Sequence, residues 1–118
     1  MKLLSLLPPL AALLLSAAPP TALAQRASAC YFERPSQPLG TGQTGRCTYR
    51  HRRNSNGDPV TDVVWFDNVR ATYIFWASGL AEILTDDKRY FGRWKSYDGV
   101  TIIIHDNNVV TGLPFPVR

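Results

Sequence analysis

The chain has 118 residues, 45% hydrophobic and 19% charged, with 13 Lys+Arg against 9 Asp+Glu and a formal charge of +4. That length holds one small domain and excludes a multidomain enzyme. So mild a basic excess names no partner by itself.

Residues 1–24 read as an export signal: Lys2 gives the positive start, Leu3 to Leu15 the apolar stretch, and Ala22-Leu23-Ala24 an A-x-A cleavage site. Pro8, Pro9, Pro19 and Pro20 interrupt it, and no later segment is apolar for the roughly 20 residues that a membrane helix needs. The expectation is an exported soluble domain, periplasmic or secreted, starting at Gln25 and lacking a transmembrane segment. Ala27-Ser28-Ala29-Cys30 is an imperfect lipoprotein site, because Leu is missing three places before the cysteine and Arg26 breaks the apolar approach. In an oxidising compartment Cys30 and Cys47 are expected to pair, closing a loop worth roughly 3 kcal/mol. No C-x-x-C or nearby His supports a redox or metal pair.

Residues 25–45 carry Pro35, Pro38, Gly40, Gly42 and Gly45 and read as a loop-rich arm tethered by the disulfide, with Cys30-Tyr31-Phe32 as its one strand-like piece. From Arg46 to the end, β-branched and aromatic runs alternate with turn signals at Asn56-Gly57, Asp67-Asn68, Ser78-Gly79, Asp86-Asp87, Asp98-Gly99 and Asn107-Asn108. No sustained 3.6-residue apolar period appears, so the fold class is all-β: a small antiparallel meander of about seven short strands over 46–118, curled into an open sheet or small barrel.

Two-residue turns fix the register expected from this pattern. Asn56-Gly57 sets Tyr49 against Val64 and His51 against Asp62; Asp67-Asn68 sets Val64 against Ala71 and Asp62 against Tyr73. A three-residue turn ending at Gly79 sets Phe75 against Ala81. Later turns set Ile83 against Tyr90, Gly92 against His105, and, through Asn107-Asn108, His105 against Val110. Phe66-Asp67-Asn68-Val69 and Tyr97-Asp98-Gly99-Val100 echo each other 31 residues apart. Tyr90-Phe91-Gly92-Arg93-Trp94 resembles the Y-x-G-x-W core of MORN hairpin repeats, once and over five residues, which assigns no family.

The face opposite the expected core mixes cations with large apolar groups: Arg50 and Arg52, Trp65, Arg70, and then Arg89, Arg93 and Lys95. Trp65 beside Arg70 permits cation–π contact. Such a face suits an anionic glycan, a lipid head group or an acidic protein surface, while the same side chains can equally snorkel over a half-buried sheet. Export argues against nucleic acid. A second reading is an accessory subunit that buries Trp76, Leu80 and Leu84 in a partner. A third is a small hydrolase built on His51, Asp62 and Tyr73, which the expected register brings together. No serine elbow, phosphate loop, calcium spacing or dinucleotide fingerprint is present, so no metal and no cofactor is expected.

Overall fold

A computed structural model describes residues 26–38 and 40–118, with side chains from Ala29 onward. The export signal read over residues 1–24 lies outside the described residues. Eight strands follow in chain order: β1 (Arg26–Glu33), β2 (Gln43–Arg53), β3 (Pro59–Val64), β4 (Arg70–Phe75), β5 (Leu80–Thr85), β6 (Lys88–Tyr97), β7 (Val100–His105) and β8 (Val110–Leu113). Each pairs antiparallel with the next, and β1 pairs with β8, so the meander closes into a barrel. Closure leaves no sheet edge and gives the apolar faces a shared interior.

The segment expected as a loop-rich arm contains β1, which seals the barrel. Tyr31, Phe32 and Glu33 pair with Gly112, Thr111 and Val110 of β8, while Cys30 lies opposite Gly45 of β2. Cys30 and Cys47 form the expected disulfide, and both are buried. The glycine-rich connection after β1 is pinned by the Glu33 carboxylate, which accepts hydrogen bonds from the Tyr31 hydroxyl and from the Gly40 amide at 2.8 Å. The Gly42 amide in turn donates to the Tyr31 oxygen at 2.8 Å.

The expected register holds from β4 to β7. Phe75 faces Ala81, Ile83 faces Tyr90, and Gly92 faces His105. It slips by one residue at three turns. Tyr49 faces Val63 and His51 faces Thr61; Ala71 faces Val63 and Tyr73 faces Thr61; Val110 faces Ile104. The slips on either side of β3 cancel, so β3 turns over between two correctly oriented neighbours, and the third slip turns over β8. Val63 and Trp65 therefore point into the barrel, whereas Asp62 and Val64 point out; on β8, Thr111 and Leu113 point in.

The cause is one turn type used four times. The Trp65 amide donates to the Val69 carbonyl at 2.8 Å, Trp76 to Leu80 at 2.9 Å, His105 to Val109 at 2.8 Å and Asn54 to Asp58 at 3.2 Å. Each pair encloses three residues, the third left-handed: Asn68, Gly79, Asn108 and Gly57. In three of them the middle side chain accepts the amide two residues on, Asp67 from Val69 at 3.1 Å, Ser78 from Leu80 at 3.4 Å and Asn107 from Val109 at 3.2 Å. Two-residue turns occur where both positions are left-handed, at Asp86-Asp87 and Asp98-Gly99. The echoed turns at Asp67 and Asp98 are consequently of different kinds.

The two barrel ends differ. At the end holding the N-terminus of β1 and the tail after β8, Phe115 folds inward and packs on Tyr49 and His51, with ring centroids 4.6 Å away in each case. The Thr101 hydroxyl donates to the Phe115 carbonyl at 2.6 Å, and the Val117 amide donates to the Ser96 hydroxyl at 2.9 Å. Above this plug Phe75, Ile83, Ile103 and Leu113 fill the middle. Trp94 meets Phe75 edge-on at 5.6 Å and anchors its indole N–H on the Trp76 carbonyl at 2.8 Å.

Candidate functional site

At the opposite end the barrel is open. A cavity of about 320 Å³ runs from the rim of turns after β1, β3, β5 and β7 down to Ala71 and Ile83 in the interior. Its walls are mainly aromatic: Phe32 from β1, Trp65 and Phe66 from the β3–β4 corner, Tyr73 from β4, and Tyr90 from β6. Phe32 meets Trp65 edge to face at 6.2 Å, and Trp65 meets Phe66 likewise at 6.0 Å. Gly45 makes room for this wall, since a Cβ there would lie 2.1 Å from the Phe66 ring. An aromatic, concave, mostly apolar mouth of a small barrel is where such folds hold ligands.

A buried polar line crosses the cavity floor. The Trp65 indole N–H donates to the Tyr73 hydroxyl at 3.2 Å, and nearby Thr111 Oγ1 lies 2.9 Å from His105 Nε2. Burial pushes the Tyr73 hydroxyl far above the ordinary tyrosine range, so it stays protonated. Burial also lowers the His105 ring below its usual value, opposed by the neighbouring Asp106 carboxylate. The cavity floor is therefore uncharged at neutral pH. Arg34 and Asp67, of opposite sign, stand on the rim.

A wider groove of about 640 Å³ at the plugged end is bordered by His51, Arg52, Arg53, Phe115 and Arg118. Two of its cations are engaged elsewhere. Arg53 donates to the carbonyls of Gly57 at 2.6 Å and Arg118 at 3.0 Å, and Arg52 bonds Asp62 at 2.7 Å. Phe115 lines it beside the buried Val60, Thr61 and Phe75, so this groove also reaches the interior, but it lacks the aromatic wall of the open mouth.

The candidate trio His51, Asp62 and Tyr73 is not assembled, because the inversion of β3 sends Asp62 outside. His51 Nδ1 lies 2.8 Å from Thr61 Oγ1, and Tyr73 is sequestered with Trp65. Asp62 accepts from Arg52 at 2.7 Å and from the Thr72 hydroxyl at 2.8 Å. The Arg52 guanidinium holds the Asp62 carboxyl below the usual carboxylate range, against a smaller opposing effect of partial burial.

The expected Arg/Trp face is also corrected: Trp65 is only 8% exposed and lies inside, so it cannot stack on the outward Arg70. Arg50, Arg52, Arg70, Arg89, Arg93 and Lys95 are on the outer face as expected. Arg52 is bridged to Asp62, and Arg89 to Glu82 at 2.8 Å. The residues that the sequence reading missed are Phe32, Phe66, Tyr90, His105 and Thr111. The shared pattern Trp65-x-Asp67-Asn68-Val69, Trp76-x-Ser78-Gly79-Leu80 and His105-x-Asn107-Asn108-Val109 was the available signal, since one turn type for all three places Trp65 and Thr111 inside. Among the described residues no group of three or more His, Cys, Asp or Glu is placed to hold a metal ion. No family model matches the chain, and neither a curated protein nor a solved structure is detectably similar to it.

Proposed function

We propose that this protein is a small exported binding module whose ligand site is the open barrel mouth. The observation that carries the reading is the aromatic wall of the mouth, where Phe32, Trp65, Phe66, Tyr73 and Tyr90 surround a cavity of about 320 Å³. Export is supported by the buried Cys30–Cys47 disulfide, which belongs to an oxidising environment, together with the signal-like residues 1–24. The test is titration with N-phenyl-1-naphthylamine, an uncharged fluorescent probe. Saturable binding that quenches tryptophan emission is expected, and Val109→Trp, placed on the half-buried rim, should block it without lowering the midpoint of thermal unfolding. Binding that survives Val109→Trp, or no binding at all, refutes the reading.

A second reading concerns the outer face. Trp76, Phe91, Tyr97, Val100, Ile102 and Ile104 are all at least 36% exposed, and the register sets Arg93 between Leu80 and Ile104 and Lys95 beside Ile102. Cations interleaved with apolar and aromatic groups suit an anionic lipid surface, which retains the lipid head group among the partners expected from sequence. Co-sedimentation with anionic but not zwitterionic vesicles, weakened by Arg93→Ala with Lys95→Ala, is the expected result. Equal recovery with both vesicle types excludes it.

A further inference from the structure

Barrel closure splits the outward cations between two sides of the wall. Arg93 and Lys95 of β6 stand beside the exposed apolar residues of β7, whereas Arg46 and Arg50 of β2 and Arg70 of β4 are exposed on another side. There Thr48, Val64 and Arg70 lie in one row across three strands, and Arg46 and Arg50 flank Thr48 on the outward face of β2. At about 3.4 Å per residue and about 4.8 Å between strands, Arg46 and Arg50 are roughly 13 Å apart at the backbone, and Arg70 is roughly 12 Å from each. Ala29 of β1, opposite Arg46, is small and exposed and leaves that flank open.

Acidic residues do not balance this triangle. Among the described residues only Glu33, Asp62 and Glu82 lie on strands, the other acids being in turns. Glu33 is buried and Glu82 is bridged to Arg89, which leaves Asp62, itself bonded by Arg52. Its carboxyl is held below the usual range chiefly by Arg52, against partial burial, and Arg50 adds to the effect. Arg46, Arg50 and Arg70 form no ion pair among the described residues. A guanidinium fork matches oxyanions bidentately, and forks spread this widely suit successive anions on a chain better than one small ion. Thr44 and Thr48 add outward hydroxyls on the same strand face. The nearest exposed aromatic residue along β4, Trp76, is six positions beyond Arg70, about 20 Å away. The triangle thus lacks the aromatic platform on which nucleic-acid bases stack and the apolar groups that enter a lipid surface.

We propose that the outer face of β2–β4 binds an acidic polysaccharide, with Arg46, Arg50 and Arg70 taking its carboxylate or sulfate groups and Thr44 and Thr48 facing its hydroxyls. The proposal keeps the anionic glycan expected from sequence on a smaller set of residues, and it is independent of the barrel mouth. Titration of the full folded protein with heparin, rich in sulfate, and with alginate, which carries carboxylates alone, tells the two anions apart. Saturable binding to at least one, weakening as salt rises, is expected, and neutral dextran should not bind. Arg46→Ala with Arg50→Ala should weaken binding roughly tenfold or more at an unchanged midpoint of thermal unfolding. Arg70→Ala, on a different strand, should weaken it several-fold. Arg93→Ala with Lys95→Ala removes the same charge from the other side and should change affinity less than about twofold. Val109→Trp should leave glycan binding intact, so a failure of the mouth reading shows separately. Equal weakening by the two double variants would reduce the effect to net charge and overturn the proposal. Equal affinity for duplex DNA, or no binding to either glycan, would overturn it as well.

Discussion

Trp65 and Tyr73 sit on adjoining parts of the β3–β4 hairpin, and the indole N–H of the first donates to the buried hydroxyl of the second at 3.2 Å. The contact exists because Phe66, Asp67 and Asn68 form a three-residue turn, which puts position 65 on the same side of the sheet as position 73. One bond thus reports the hand of a strand, the satisfaction of a buried phenol and the floor of the cavity together.

That hand is directly testable at two adjacent residues. Val63 is 1% exposed, whereas Val64 faces outward beside Thr48 and Arg70. Val63→Asp should unfold the domain or cost about 3–5 kcal/mol through an unpaired buried charge. Val64→Asp, next to Arg70, should cost less than about 1 kcal/mol. Denaturant titration of both variants decides; equal losses would mean that β3 is not oriented as described.

The fold class, the disulfide and the faces of β2 and of β4 to β7 were legible in the sequence because alternation and turn residues speak to each strand separately. The inversion of β3 was harder to see, because Val63-Val64 and Trp65-Phe66 are apolar pairs that fit either orientation. Asp62 was the informative residue: the two-residue turns buried it beside Tyr73, and the three-residue turns bring it to Arg52 and solvent. The cavity was not legible, since Phe32, Trp65, Tyr90 and His105 come from strands that meet only once β1 closes on β8. Alternation names an inward face and does not say whether it is filled or hollow.

Reduction of Cys30–Cys47 should lower the midpoint of thermal unfolding. The cysteines are separated by 17 positions, for which loop closure is worth about 3 kcal/mol. In a domain of this size that corresponds to roughly 10–20 °C. Calorimetry with and without reductant measures it, and an unchanged midpoint with two free thiols after reduction would show that the barrel carries β1 without the bond.

Gly92 offers a steric prediction that its place in Tyr90-Phe91-Gly92-Arg93-Trp94 does not explain alone. A Cβ at position 92 would lie 2.6 Å from the Ile104 carbonyl oxygen and 2.9 Å from the His105 Cα. Both are backbone atoms of the paired strand and cannot rotate away. Gly92→Ala should cost about 1–3 kcal/mol by overpacking, and thermal melts of the pure variant give the answer. A neutral substitution would mean that β6 and β7 separate more easily than the barrel implies.

The last prediction is a pH dependence with its sign fixed by burial. His105 is 9% exposed and its ring is lowered below the ordinary histidine value, chiefly by desolvation. The unfolded chain therefore takes up its proton at higher pH, near 6.5, than the folded one does. Between the lowered folded-state value and about 6.5 the unfolded state holds more protons, so stability rises with pH through that window, is complete above it, and levels off at reduced value below it. Asp62 contributes in the same direction but lower on the scale. Its depressed carboxyl adds stability that is present above its ordinary value of 3.8 and lost as pH falls through the folded-state value. Urea titrations from pH 8 to pH 3 should accordingly show two separate declines. His105→Phe should remove the upper one and leave the lower, and Asp62→Asn the reverse. An upper decline that persists in His105→Phe would place that proton on another group and remove the case for an imidazole held neutral beneath the cavity.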